Sequence, residues 1–170
     1  MTERARGGRK AHPQIEVMVQ SPRWKTRPRA AGTVRRAVAA AAQALSTPPG
    51  ALAIVLTDDS AIRALNRDWR GHDAPTNVLS FPSGAPRPGG DAPHHLGDIV
   101  IAYQTVRREA DAEHKPFGHH LAHLAVHGFL HLLGYDHQNI RDARRMERLE
   151  VRILAQLAVP DPYAGGGVRG

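Results

Sequence analysis

The chain contains no cysteine among its 170 residues. Disulfide frameworks, thiolate metal sites and a cysteine nucleophile are thereby excluded. No apolar run reaches the ~18 residues of a membrane-spanning helix. Met1-Thr2-Glu3-Arg4 leads into basic and polar residues rather than a signal-peptide apolar core. A cytoplasmic protein without a membrane segment is expected. Aromatic residues are scarce, 5% of the chain, so recognition built on stacked rings is not expected. Lysine is scarce too: 20 of the 23 cationic side chains are arginine.

What is present suffices for one core. With 41% hydrophobic residues, a chain of this length is most simply a single domain burying about 70% of the surface its unfolded form would expose. The net charge of +7 is uneven. Residues 1–36 hold ten Lys/Arg against Glu3 and Glu16, and residues 37–170 hold 13 Lys/Arg against 14 Asp/Glu. A basic segment on a near-neutral body suits a polyanionic partner, although solvated arginines alone also produce it.

Residues 1–13 read as a disordered basic leader, 14–158 as one domain and 159–170 as a flexible tail. Alternation predicts a strand over 14–20, and the compact apolar run ALAIVLT a buried strand over 51–57. A short strand at 78–81 and a third long one at 98–103 follow. Helices are predicted over 33–45, from a cap at Asp58-Asp59-Ser60 to about 68, over 104–113, from Pro116 to about 133, and over 139–157. Residues 69–77 read as a loop, and the Pro/Gly-rich stretch 82–95 as a surface connection. The arginines at 141, 144, 145, 148 and 152 read as a solvated helix face, with RNA contact as the alternative. Helices and strands mix without strict βαβ alternation, so the fold class is α+β, a small mixed sheet packed against helices.

The densest chemistry lies in His127-Gly128-Phe129-Leu130-His131-Leu132-Leu133-Gly134-Tyr135-Asp136-His137. Histidines four apart on a helix stand about 40° apart around its axis and ~6 Å along it, so both reach one ion. His137 would point about 120° from His131 on a continuous helix. Gly134 readily takes the left-handed conformation that ends a helix and turns the chain back. Three imidazoles with no fourth ligand nearby in sequence describe the open arrangement of a catalytic zinc site. Two histidines alone would be better read as solvated or hydrogen-bonded core residues. The zinc-protease pattern H-E-x-x-H-x-x-G-x-x-H has the same spacing, but its general-base glutamate is Gly128 here. His123, one turn before His127, is a further ligand candidate or an outer partner.

Together with Arg70-Gly71-His72-Asp73-Ala74-Pro75-Thr76-Asn77-Val78-Leu79-Ser80-Phe81-Pro82 and Leu96-Gly97-Asp98-Ile99-Val100-Ile101, these residues resemble the YbeY family of bacterial endoribonucleases, which mature ribosomal RNA. The likeness covers about residues 51–155. It implies a zincin-like metal helix with one zinc ion per chain, held by His127, His131 and His137, and Arg70 as the basic residue of RNA processing. His127 and Arg70 are therefore the expected catalytic residues. The implied activity is zinc-dependent, single-strand-specific endoribonucleolysis acting at the 3′ end of small-subunit ribosomal RNA and in ribosome quality control. The implied partners are single-stranded and ribosomal RNA and the ribosome or its small subunit, with no DNA.

Within that scheme zinc acts as Lewis acid on a phosphoryl oxygen, and Arg70 grips phosphate with parallel hydrogen bonds. Read without the resemblance, Arg70 pairs with Asp68 or Asp73. Asp73, Thr76 and Asn77 read as loop-fixing residues, while Ser80 and Asp98 either line the site or serve structure alone. Asp136 either orients a ligand imidazole or caps the turn. No proton acceptor is evident, and attack by water and by the RNA 2′-hydroxyl both remain open. Two rivals stand beside this reading. One is a zinc peptidase or amidase with another base. The other is a non-catalytic ribosome-binding factor whose structural metal is closed by a fourth ligand such as His123.

Overall fold

The computed structural model describes residues 13–47, 49–84 and 94–164. The readings for the basic leader, the middle of the Pro/Gly connection and the end of the tail fall on 1–12, 85–93 and 165–170, outside the described residues. Elements run β1 (Gln14–Val19), a 3-10 turn (Pro22–Thr26), α1 (Ala30–Ala44), β2 (Ala51–Thr57), α2 (Asp59–Arg70), β3 (Val78–Pro82), β4 (His95–Ala102), α3 (Tyr103–Ala112), α4 (Phe117–Leu132) and α5 (Ile140–Gln156). The sheet order is β1-β2-β4-β3. β1, β2 and β4 are parallel, and β3 returns antiparallel to β4. This is the expected α+β domain with a mixed sheet.

Side-chain alternation along β2 and β4 sorts the core into two layers. Leu52, Ile54, Leu56, Ile99 and Ile101 face the main core with α1, α4 and α5. Val55, Val100 and Ala102 face the opposite side with Ile62 of α2. Because β2 and β4 are covered on both faces, they read as near-continuous apolar runs. α4 is central. Leu121, Leu124, Ala125, Val126, Phe129 and Leu130 are all buried, and a helix apolar nearly all round is one enclosed by its neighbours.

Boundaries differ where tertiary contacts overrule local signals. α1 starts at Ala30 rather than 33 and takes Gly32 into its first turn; the buried Ala30 and Val34 anchor it. β4 starts at His95 rather than 98, because pairing with both β2 and β3 extends through Gly97. α2 includes Trp69 and Arg70, which read as loop, and stops at Gly71 in the left-handed conformation (φ 74°).

α4 touches β3 and β4 at Gly128. A Cβ there would stand 2.9 Å from Ile99 Cγ2 and 3.2 Å from both Ser80 Oγ and Val78 Cγ2. Gly128→Ala is therefore expected to destabilise the fold by about 1–3 kcal/mol through overpacking, against the ~1 kcal/mol that alanine gains in helix propensity. Urea unfolding of the two proteins side by side measures this; an equal or higher midpoint for the variant would show that the contact relaxes freely.

Candidate metal centre

His127 and His131 project from the last two turns of α4. The helix then ends at a left-handed Gly134 (φ 93°). Gly134 N–H donates to His131 O (3.0 Å) and Tyr135 N–H to Leu130 O (3.0 Å), the paired bonds of a Schellman stop. The turn returns the chain so that one ligand atom from each of His127, His131 and His137 lies within 4.8 Å of the others. His127 Nε2 and His131 Nε2 are 3.0 Å apart, near the ~3.3 Å separation of two ligands around a tetrahedral ion with bonds of ~2.0–2.1 Å. The His137 side chain is 57% exposed, so the cluster opens to solvent on that side.

His131 is in the state a metal needs. Burial first, then the neighbouring imidazoles of His127 and His137, hold His131 below the ordinary imidazole range. It is thus neutral near pH 7. His127 Nδ1 lies 2.5 Å from Glu150 Oε1, an acceptor that fixes the ring with Nε2 facing its neighbours. These residues fit a divalent ion suited to imidazole.

Glu150 is completely buried on the inner face of α5. Its carboxylate also engages His123 Nε2 at 3.2 Å and the Tyr163 hydroxyl. Burial opposes ionisation most strongly, but the hydrogen bonds and positive potential of His123 and His127 together outweigh it, and its pKa falls to about 2. His123 is thus turned to Glu150 and Tyr163 behind the cluster. His120 is buried on Glu109, with Nε2 3.0 Å from Oε1. Tyr163 lies in the stretch read as a flexible tail, whose start instead forms a turn in which Asp161 accepts from Tyr163 N–H (2.8 Å).

The metal-site reading missed Glu150 and Tyr163. Glu150 had one signal: it stands on the apolar stripe of α5 with Met146, Ile153 and Leu154, all buried.

Other candidates fall elsewhere. Arg70 donates to Ser80 O (2.8 Å), and its guanidinium lies 5.5 Å from the Phe81 ring centroid. The carboxylates suggested as its partners are taken: Asp73 by Arg63 (2.8 Å) and Asp68 by Arg67 (3.0 Å). Among the described residues Arg70 forms no ion pair. It has no hydrogen bond to the histidines; the link runs through β3, where Ser80 Oγ donates to Gly128 O (2.8 Å). Arg70 and Asp98 line a groove of about 770 Å³ with Trp69 and Phe81. Asn77 braces β3 against α3 through Glu109 (2.9 Å). Asp136 accepts from His137 N–H (2.7 Å) and caps the turn. Position 128 faces β3 and β4, so a side chain at the protease-base position would be driven into the sheet.

Fold and site together define an α+β domain with an open three-histidine centre at the end of its central helix. The family model described as endoribonuclease YbeY matches residues 18–158. The chain is 57% identical over 157 residues to endoribonuclease YbeY of Bradyrhizobium diazoefficiens, covering 89% of this chain and 86% of that one. It is 56% identical over 160 residues to the protein of the same description from Nitrobacter hamburgensis, covering 91% and 84%. The solution structure of a Thermotoga maritima protein, 20% identical, shares the fold with a TM-score of 0.51 over 92% of this chain and all of that one. The chain belongs to the YbeY endoribonuclease family.

Proposed function

We propose that this protein is a zinc-dependent endoribonuclease that cuts single-stranded RNA during maturation of ribosomal RNA, with small-subunit RNA at its 3′ end as the natural substrate. Cytoplasmic work on the ribosome, including its quality control, and indifference to DNA belong to the same reading. The observation that carries it is the cluster of His127, His131 and His137, drawn within 4.8 Å and open beside the exposed His137, in a chain of this family. Zinc, one ion per chain, would be held by these three residues and would supply a Lewis acid beside the scissile phosphate.

The chain's own residues do the rest. Glu150 orients His127, and Ser80 ties α4 to β3. Arg70, with no ion pair among the described residues, offers its guanidinium to a phosphate oxygen of the strand crossing β3. A single strand suits in-line attack because its backbone bends into the required geometry, whereas a duplex resists. The peptidase rival is disfavoured by the direction of position 128. The closed structural-metal rival is disfavoured by His123, which is committed to Glu150.

Arg70→Ala is expected to leave zinc affinity unchanged and to lower kcat/KM on single-stranded RNA by on the order of 10²-fold. Zinc titration and cleavage of an end-labelled single strand beside its duplex measure both. Equal loss of metal in this variant and in His131→Ala, or equal cutting of duplex and single strand, would refute the division of roles. The product ends identify the nucleophile: a 2′,3′-cyclic phosphate marks the 2′-hydroxyl, and a direct 5′-phosphate marks water.

A further inference from the structure

The geometry points to the outer face of α5 as a track for RNA phosphates leading away from the histidine cluster, an inference that rests on the endoribonuclease reading. At about 100° per residue, Arg141, Arg144, Arg145, Arg148 and Arg152 fall within an arc of about 100° on this helix. Met146, Glu150, Ile153 and Leu154 occupy the opposite, buried face. All five arginines are exposed.

None of the five forms an ion pair among the described residues. The face is therefore not the set of mutually neutralised i, i+4 pairs that a solvated helix usually carries. The acidic residues of α5 stand off the stripe. Asp142 and Glu147 are each turned roughly 100° or more from its centre, Asp142 is held by Asn139 in the helix cap (3.0 Å), and Glu150 points inward. A shallow groove of about 470 Å³ runs beside Arg144, Arg148 and Arg152, with Glu147, Asp161 and Tyr163 also on its wall.

Placement gives the stripe its role. α5 begins three residues after His137, and Arg145 lies 5.6 Å above the ring of Tyr135 in the turn that carries that ligand. From Arg141 to Arg152 the stripe extends about 16 Å. It starts at the exposed rim of the cluster and passes several nucleotides along the helix. Guanidinium groups that form no ion pair among the described residues release counterions from a polyphosphate without first breaking one there. They touch no reacting atom, so they position the strand and add affinity without sequence preference.

The test uses the zinc-loaded protein and a labelled single-stranded 2′-O-methyl phosphorothioate RNA, which resists cleavage. Anisotropy across a series of KCl concentrations gives the affinity and its salt slope. The quadruple variant R141Q/R145Q/R148Q/R152Q is expected to bind at least about tenfold more weakly and to flatten the slope by about 3, near 0.7 per phosphate contact. R141K/R145K/R148K/R152K should keep the slope, because the slope counts charges. R23Q/R29Q/R35Q/R36Q removes as many exposed charges elsewhere and should leave the slope near that of wild type.

On cleavable RNA the glutamine variant should raise KM with kcat within about twofold. An unchanged slope in the glutamine variant, or an equal fall in the R23Q/R29Q/R35Q/R36Q control, would overturn the track. If wild type binds with the stripe-dependent slope yet cuts no RNA, the endoribonuclease reading fails and the track stands. If wild type binds no RNA, both fall.

Discussion

His131→Ala is expected to abolish zinc binding without harming the apo fold. Loss of a ligand should cost more than the ~10–100-fold in affinity that follows loss of an outer hydrogen-bond partner. An ion that binds only the folded state stabilises it by about 2.7 kcal/mol at a hundred times its dissociation constant. Zinc should therefore raise the melting temperature of wild type and leave that of the variant unmoved. The apo protein should respond in the opposite sense to acid. Burial and the imidazoles of His127 and His137 depress the His131 pKa in the folded state. The unfolded chain then takes up the proton first, and apo stability falls as pH drops below about 6.5. Alanine removes that liability. Zinc titration by competition with a chromophoric chelator, joined to melts between pH 5 and 8, measures both; tight zinc binding by the variant would show that this histidine is not a ligand.

The second large effect is expected at Glu150. Glutamine keeps its shape but brings an amide N–H₂ into a pocket whose neighbours, His127 Nδ1, His123 Nε2 and the Tyr163 hydroxyl, crowd one carboxylate. One of the two acceptor oxygens is then lost, and the groups on that side must turn from donating to accepting. Zinc affinity should drop about 10–100-fold, since His127 loses the anionic acceptor that fixes its ring. Stability should change its dependence on acid as well. The Glu150 pKa is lowered to about 2 from the ordinary 4.5 of a glutamate, so the carboxylate contributes stability above pH 4.5 that is lost as pH falls towards 2. The contribution is on the order of 3 kcal/mol. The Glu150→Gln protein should lack that limb of the profile. Urea midpoints between pH 2 and 6, beside zinc titration near neutrality, decide the matter; wild-type affinity and an unchanged acid limb together would remove Glu150 from the site.

The cluster of three histidines was legible because its parts are local. His127, His131 and Gly134 lie within eight residues, and helix geometry with one left-handed glycine brings His137 back to the others. The main elements were legible for a related reason: ALAIVLT and the apolar surround of α4 state their burial by composition. What escaped depends on distant chain. Glu150 meets His127 across 23 residues, and only a carboxylate standing on an apolar stripe hinted at a buried partner. Trp69 and Arg70 read as loop because the helix stop at Gly71 outweighs the polar run before it only once α2 packs on the sheet. β4 begins at His95 because β2 pairs there and β3 joins from Gly97, which no window of its own sequence reports. Gly128 looked like the loss of a catalytic glutamate. The structure adds a packing reason, since nothing larger fits between α4 and Ile99.

The most direct measurement is cleavage of an end-labelled single-stranded RNA by zinc-loaded protein, by the same protein stripped with chelator, and by His127→Ala purified identically. Cutting by the loaded protein alone, restored when zinc is returned to the stripped sample, is the predicted result. Equal cutting by all three would contradict a metal-dependent centre at these histidines.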